Sequence, residues 1–334
     1  MNELNVKTFY NTCDIGGFKQ AQVQSFIHSA ESSEDISHIR QMAYQTFAMI
    51  VGESKAETLL TSVKDFNRLE LNTEAALAGI HVFRTYFAHL IQKVRRLQVP
   101  NTTKYSRDYD ESGIAVINDF LPDYTRIKII EEMKTFPIAV FKTPGNVIYN
   151  LSNNPGLSDA VFRSPMKTIV FDCLAFHQDH AEGNMLYAQN TFVQKLHNKK
   201  DDGDIQKVMH SDTFFPCVKW WYFPEQVRLD DGPFVYAPIS NKLTEDRLQY
   251  TYEQSVAISQ GDIESSRTYS HVEGSLRINQ QELAEIGISE SSYAVPANTL
   301  IIANVFGFHR RGDVKSEAKR NSIHGSIRIN HPFT

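Results

Sequence analysis

The strongest constraint on this chain is a change of hydrophobic period at Pro100. Before it, apolar residues recur every three to four positions: Ile36, Ile39, Ala43, Phe47 and Ile50 in one segment, then Leu77, Ile80, Phe83, Phe87, Leu90, Ile91 and Val94 in another. That spacing places them on one helical face, with Asn72 as the cap of a helix over 73–97 and Pro100 as its stop. Beyond Pro100 the apolar residues fall in short β-branched or aromatic runs, at 113–120, 216–223, 233–237, 275–278 and 299–306, separated by Gly, Pro, Asn and Asp. Strands that do not alternate with long helices predict an antiparallel sandwich or jelly roll rather than a doubly wound sheet. The expected class is mainly β with helices (α+β), with a helical extension over 1–104 packing on a β domain over 105–334.

Composition narrows the function. With 334 residues, 41% hydrophobic and 22% charged, the chain buries a sizeable core. Lys+Arg is 34 against Asp+Glu 39, a net charge of −5, opposite to the balance of a general nucleic-acid binder. No apolar run approaches the roughly 18 residues of a membrane span, and the opening residues lack a signal-peptide layout. A cytoplasmic protein without nucleic-acid or membrane partners is expected, its oligomeric state open. Cys13, Cys173 and Cys217 are odd in number and form no CxxC, which predicts free thiols. The polar stretch at 197–204 reads as a solvated loop.

Twelve histidines without a glycine-rich phosphate loop direct attention to His/carboxylate metal sites. Two His-x-Asp sequences occur, His177-Gln-Asp179 and His210-Ser-Asp212. In a strand, residues i and i+2 share a face, so His210 and Asp212 can reach one ion while Ser211 points away. Ile205, Val208 and Thr213–Phe215 give that segment a strand-like context; the surroundings of His177, Asp179 and His180 suit a loop or helix start. His309 closes the apolar run ANTLIIANVFGF, where a side chain projects into a barrel mouth, and is the best third ligand. Two histidines and one carboxylate with open positions form the facial triad of non-haem Fe(II) oxygenases. Arg320 lies eleven residues beyond His309, with Ser322 two further on; a strand running back alongside would put a guanidinium and a hydroxyl on one face, suited to a carboxylate. Other candidates are Gln194 as a polar contact to a cosubstrate, Trp220–Tyr222 as an aromatic lining, His271 and Glu273 as an extended-spacing pair, and Arg267, Tyr269 and His271 on a substrate-facing loop.

The order of HSD at 210–212, DGPFVYAPISNKL at 231–243, GFHRRGD at 307–313 and RNS at 320–322 resembles the phytanoyl-CoA dioxygenase family of Fe(II)/2-oxoglutarate-dependent oxygenases. GIAVINDFLP at 113–122 is similar to that domain's opening strand, and the resemblance covers roughly 105–330. It implies a double-stranded β-helix (jelly roll, cupin-like), with His210, Asp212 and His309 as Fe(II) ligands and Arg320 with Ser322 gripping 2-oxoglutarate. O2 is the other cosubstrate, and the implied outcome is hydroxylation of a small-molecule substrate. The family's Pro-Gly-Ser-His-Lys turn reads Pro238-Ile239-Ser240-Asn241-Lys242 here, losing a glycine and a histidine. Asp212 disfavours a halogenase, whose relatives lack a carboxylate there. Competing readings are a cupin-type metal hydrolase on the same ligands and a non-catalytic jelly-roll binding module.

Overall fold

The computed structural model describes residues 20–61, 73–135, 146–150, 166–176, 190–198, 205–260, 276–314, 318–327 and 331–333. Helices α1 (Gln20–Glu31), α2 (Ile36–Val51), α3 (Glu53–Thr61), α4 (Thr73–Leu77) and α5 (Ile80–Gln98) form the amino-terminal part. Asp35 starts α2 by accepting from the Ser37 amide, as an N-cap does. The helix expected over 73–97 is broken at Gly79, whose φ of 75° is left-handed. The proposed cap Asn72 lies outside the described residues.

The helix α5 buries almost its whole first half because it has neighbours on several sides. Its Phe83, Phe87 and Ile91 join Ile39, Ala43 and Phe47 of α2 in one core, while Ala88 packs against Phe214, Phe215, Cys217 and Val305. The guanidinium of Arg84 lies 3.6 Å from the Phe214 ring centroid. The helical layer thus rests directly behind the segment that carries His210 and Asp212.

The strands are β1 (Ile114–Ile117), β2 (Asn146–Asn150), β3 (Asn190–Asn198), β4 (His210–Ser211), β5 (Val218–Phe223), β6 (Phe234–Tyr236), β7 (Leu276–Arg277), β8 (Ser291–Tyr293), β9 (Thr299–Asn304), β10 (His309–Arg311) and β11 (Ala318–Ile327). All their pairings are antiparallel, in a six-stranded sheet of order β1-β9-β5-β11-β3-β2 and a five-stranded sheet of order β7-β4-β10-β6-β8. The two sheets face each other as a jelly roll, as the short strand runs predict. The stretch read as a loop at 197–204 begins inside β3; residues 199–204 lie outside the described residues.

Strand alternation sorts side chains into two layers. Trp220, Tyr222, Leu300, Ile302 and Ile323 point outward and pack beneath Ile129 and Met133 of α7 (Asp123–Thr135) and Ile169 and Val170 of α8 (Met166–Leu174). Phe223, Ile301 and Ala303 point inward, meet Phe234 and Tyr236 of the other sheet, and have Trp221 packed against them. This corrects the reading of Trp220–Tyr222 as one lining: only Trp221 of the three faces the interior.

The helix α6 (Lys104–Ser112) ends at Gly113, whose φ is 85° and whose missing side chain leaves room for Tyr236 Oη and Asn241 Cγ. Gly113→Ala is expected to lower the unfolding free energy by about 3 kcal/mol, combining left-handed strain with overpacking. Urea unfolding followed by circular dichroism measures it. No helix among the described residues is long and apolar enough to cross a membrane.

Candidate metal centre

Antiparallel pairing of β4 with β10 sets His210 directly opposite His309, and their ring centroids are 4.5 Å apart. The strand expected around His210 is shorter than its composition suggests: 205–207 is a 3-10 turn and the ladder stops at Ser211. Asp212 therefore leaves the ladder, its amide donating to Val305 O at 2.9 Å. Ser211 turns the other way, with its hydroxyl 2.8 Å from Phe306 O. Both imidazoles have Nδ1 on a backbone carbonyl, His210 on Val208 O at 2.8 Å and His309 on Gly307 O at 3.0 Å. A carbonyl only accepts, so Nδ1 carries a proton in both rings and Nε2 is the atom each turns toward Asp212.

Those nitrogen atoms converge. His210 Nε2 lies 3.5 Å from Asp212 Oδ1 and His309 Nε2 lies 3.6 Å from Asp212 Oδ2. One donor atom from each of the three residues falls within 4.8 Å of the others, an arrangement that can hold a divalent metal. Burial, followed by the neighbouring His309, pushes His210 down to about 3, against the pull of Asp212. Burial pushes the Asp212 carboxyl up, but Lys219 and the two histidines outweigh it and hold it well below the usual carboxylate range. At neutral pH His210 is thus a neutral imidazole and Asp212 a carboxylate, and neither has to lose a proton to ligate. Sequence reading missed Lys219, whose ammonium forms an ion pair with Asp212 Oδ2.

The Pro238–Lys242 turn supports the second histidine: Phe308 N donates to Ser240 Oγ at 2.8 Å. Ile239 holds φ at 65°, taking the left-handed conformation where the family writes glycine. Behind this segment, Arg247 of α9 (Glu245–Ser259) sits 3.7 Å from the Phe308 ring centroid and donates to Phe306 O at 3.0 Å.

Arg320 and Ser322 belong to β11, and their positions differ from the expected strand beside β10. The strand β11 lies in the six-stranded sheet, between β5 and β3, so the pair approaches from across the barrel. Both are buried, and Arg320 and Ser322 share a face opposite to that of Ile323. Arg320 Nη1 donates to Gly232 O, and its guanidinium lies 5.7 Å from the Phe223 ring centroid. Ser322 Oγ is buried with no hydrogen-bond partner among the described residues. Gln194 stands across from Ser322 in the β3–β11 register. His324 completes the same face of β11; burial, then Lys219, Arg320 and Arg311, push it down to about 3. The other candidates, His177, Asp179, His180, Arg267, Tyr269, His271 and Glu273, lie outside the described residues, as does Cys13; Cys173 and Cys217 are buried and in no disulfide among the described residues.

Depressed histidines give the fold an acid limit. Burial carries His89 down to about 4, and Arg247 and Lys242 oppose its protonation further although its bond to Thr85 O favours it. His89 and His324 are neutral in the native state, whereas the unfolded chain takes up protons near pH 6.5. Their contribution is complete above that value and is lost as pH falls toward 3 to 4. Between pH 7 and 5.5 the unfolding free energy is expected to drop by about 1 kcal/mol for each of these two histidines, measured by urea titration at both pH values.

No family model matches the chain, and no curated protein sequence matches it. The chain is similar in structure to EctD from S. alaskensis with 2-oxoglutarate and 5-hydroxyectoine, with a TM-score of 0.45 and 12% identity, over 70% of this chain and 80% of that one. It is also similar to the non-heme alpha ketoglutarate dependent epimerase SnoN from nogalamycin biosynthesis (TM-score 0.43, 12% identity, 68% of this chain and 81% of that one). A third is HygX from Streptomyces hygroscopicus with nickel and 2-oxoglutarate bound (TM-score 0.39, 12% identity, 67% of this chain and 86% of that one).

Proposed function

We propose that this chain is an Fe(II)- and 2-oxoglutarate-dependent oxygenase that hydroxylates an unactivated C–H bond of a small or medium organic molecule. The observation carrying this reading is that one barrel interior holds both a His210/Asp212/His309 donor set and, across from it, a buried arginine and a buried serine whose hydroxyl has no hydrogen-bond partner among the described residues. The residues fit the groups they would hold. His210, Asp212 and His309 would hold the iron, a donor set of two imidazoles and one carboxylate that suits it. Ser322 Oγ has no hydrogen-bond partner among the described residues and could donate to a carboxylate, and Arg320 provides the charge that a buried carboxylate requires. When bound, iron and 2-oxoglutarate would supply O2 activation coupled to decarboxylation, giving succinate and CO2.

The chain's own residues do the rest. The Nδ1 bonds of His210 and His309 fix the imidazole tautomers and aim both Nε2 atoms. Trp221 and Phe234, whose ring centroids lie 6.4 and 6.0 Å from that of His309, make the surroundings apolar and limit water. Asp212 occupies the position that a halogenase would leave open, which favours oxygenation. A metal hydrolase has no use for Arg320 and Ser322 in this place. Fe(II) followed by 2-oxoglutarate, added anaerobically to the apo protein, is expected to produce the visible charge-transfer band of a chelated keto acid. Iron binding without a band would overturn the reading.

A further inference from the structure

We propose that Lys219 is a second anion-binding residue of this site, holding the carboxylate next to the keto group of a 2-oxo acid. The inference rests on the oxygenase reading and extends it to a residue whose place is defined by strand alternation. In β5, Val218, Trp220 and Tyr222 belong to the buried outward layer, so Lys219 shares the inward face with Trp221 and Phe223. An ammonium turned to the inner face and only partly open to solvent favours a counter-charge. Lys219 has Asp212, the carboxylate that completes the donor set. Lys219 thus places a positive charge beside Asp212. A divalent ion on Asp212 would leave two neighbouring cations, metal and Lys219, with one carboxylate between them. That surplus favours an anion bound beside the metal.

Arg320 is placed for a different charge. Across β5 and β11, Lys219 pairs in register with Ser326 and Trp221 with His324, while Arg320 lies three residues beyond Ile323, the partner of Tyr222. Lys219 and Arg320 thus mark opposite ends of one inward strip, with Trp221, His324 and Phe223 between them. Such a strip suits a dianion charged at both ends, with Lys219 taking the near carboxylate and Arg320 the far one.

The test separates these ends by measuring Fe(II) affinity anaerobically and keto-acid affinity from the charge-transfer band. The probes are 2-oxoglutarate and 2-oxobutyrate, which lacks the second carboxylate. Lys219→Met is expected to bind Fe(II) at least as tightly as the unaltered protein, because a cation competing for Asp212 is gone. Its affinity for both keto acids should fall by about tenfold or more, the effect of losing a charge-assisted hydrogen bond. Lys219→Arg should restore most of that loss. Arg320→Met should weaken 2-oxoglutarate alone. Unchanged keto-acid titrations in Lys219→Met would overturn the inference, and a joint loss of iron and keto-acid affinity would assign Lys219 to supporting Asp212. Absence of the band in the unaltered protein would instead remove the oxygenase reading, and this inference with it.

Discussion

Asp212→Ala is expected to reduce turnover, measured as succinate formation, by about 1000-fold or more, equivalent to about 4 kcal/mol. The size follows from what the carboxylate does. It is the one anionic member of the donor set, and both Nε2 atoms face it. Without it, two imidazoles and a nearby lysine ammonium would remain, a poor site for a divalent ion. Equilibrium dialysis should show iron affinity falling together with turnover. The fold should survive, because the Asp212 amide still reaches Val305 O and Lys219 is 26% exposed and can turn toward solvent. Near-unchanged circular dichroism and thermal unfolding would separate ligand loss from collapse. Full activity in His210→Ala with loss in His177→Ala would move the site to the other His-x-Asp sequence and sink the assignment.

What the sequence revealed about this site, and what it hid, has a physical pattern. His210 and Asp212 were legible because their spacing admits a shared direction, and His309 because it terminates an apolar run that becomes β9 and the turn after it. Short-range chemistry of this kind survives without knowledge of strand order. Strand order itself was not legible. Arg320 and Ser322 were expected on a strand beside His309, yet β11 crosses to the opposite sheet, since the pairing partner of a strand is decided by packing remote in sequence. The pair still reaches the interior, because the separation of two residues that puts both on one face does not depend on which sheet holds them.

Lys219 shows the opposite case. In VKWWYF the aromatic residues suggest a single lining, whereas period-two alternation splits them between two layers. The one basic residue in that strand shares parity with Trp221 and faces inward. The information was present in the sequence, but it required knowing which parity was inside. The helices α7, α8, α9 and α10 (Gln280–Glu285) were missed for a related reason. Apolar positions in α9, such as Leu248 and Tyr250, serve separate clusters rather than one stripe, so its helical period is weak.

Arg320→Met is expected to raise the KM for 2-oxoglutarate by about 100-fold, the loss of a charge-assisted pair of hydrogen bonds in a buried place. Methionine has the length to keep contact with Phe223, so the packing contribution of the side chain is largely retained while its charge is removed. Iron affinity should stay within a factor of about two, since Arg320 belongs to the sheet opposite the one that carries His210 and His309. Arg320→Lys should recover part of the loss, because an ammonium supplies the charge without the planar fork. Saturating 2-oxoglutarate should restore much of the turnover in Arg320→Met and none in Asp212→Ala. That contrast distinguishes a residue that binds the cosubstrate from one that builds the metal centre. An unchanged KM in Arg320→Met would remove the carboxylate grip, and with it the feature that separates an oxygenase from other metal enzymes built on the same three ligands.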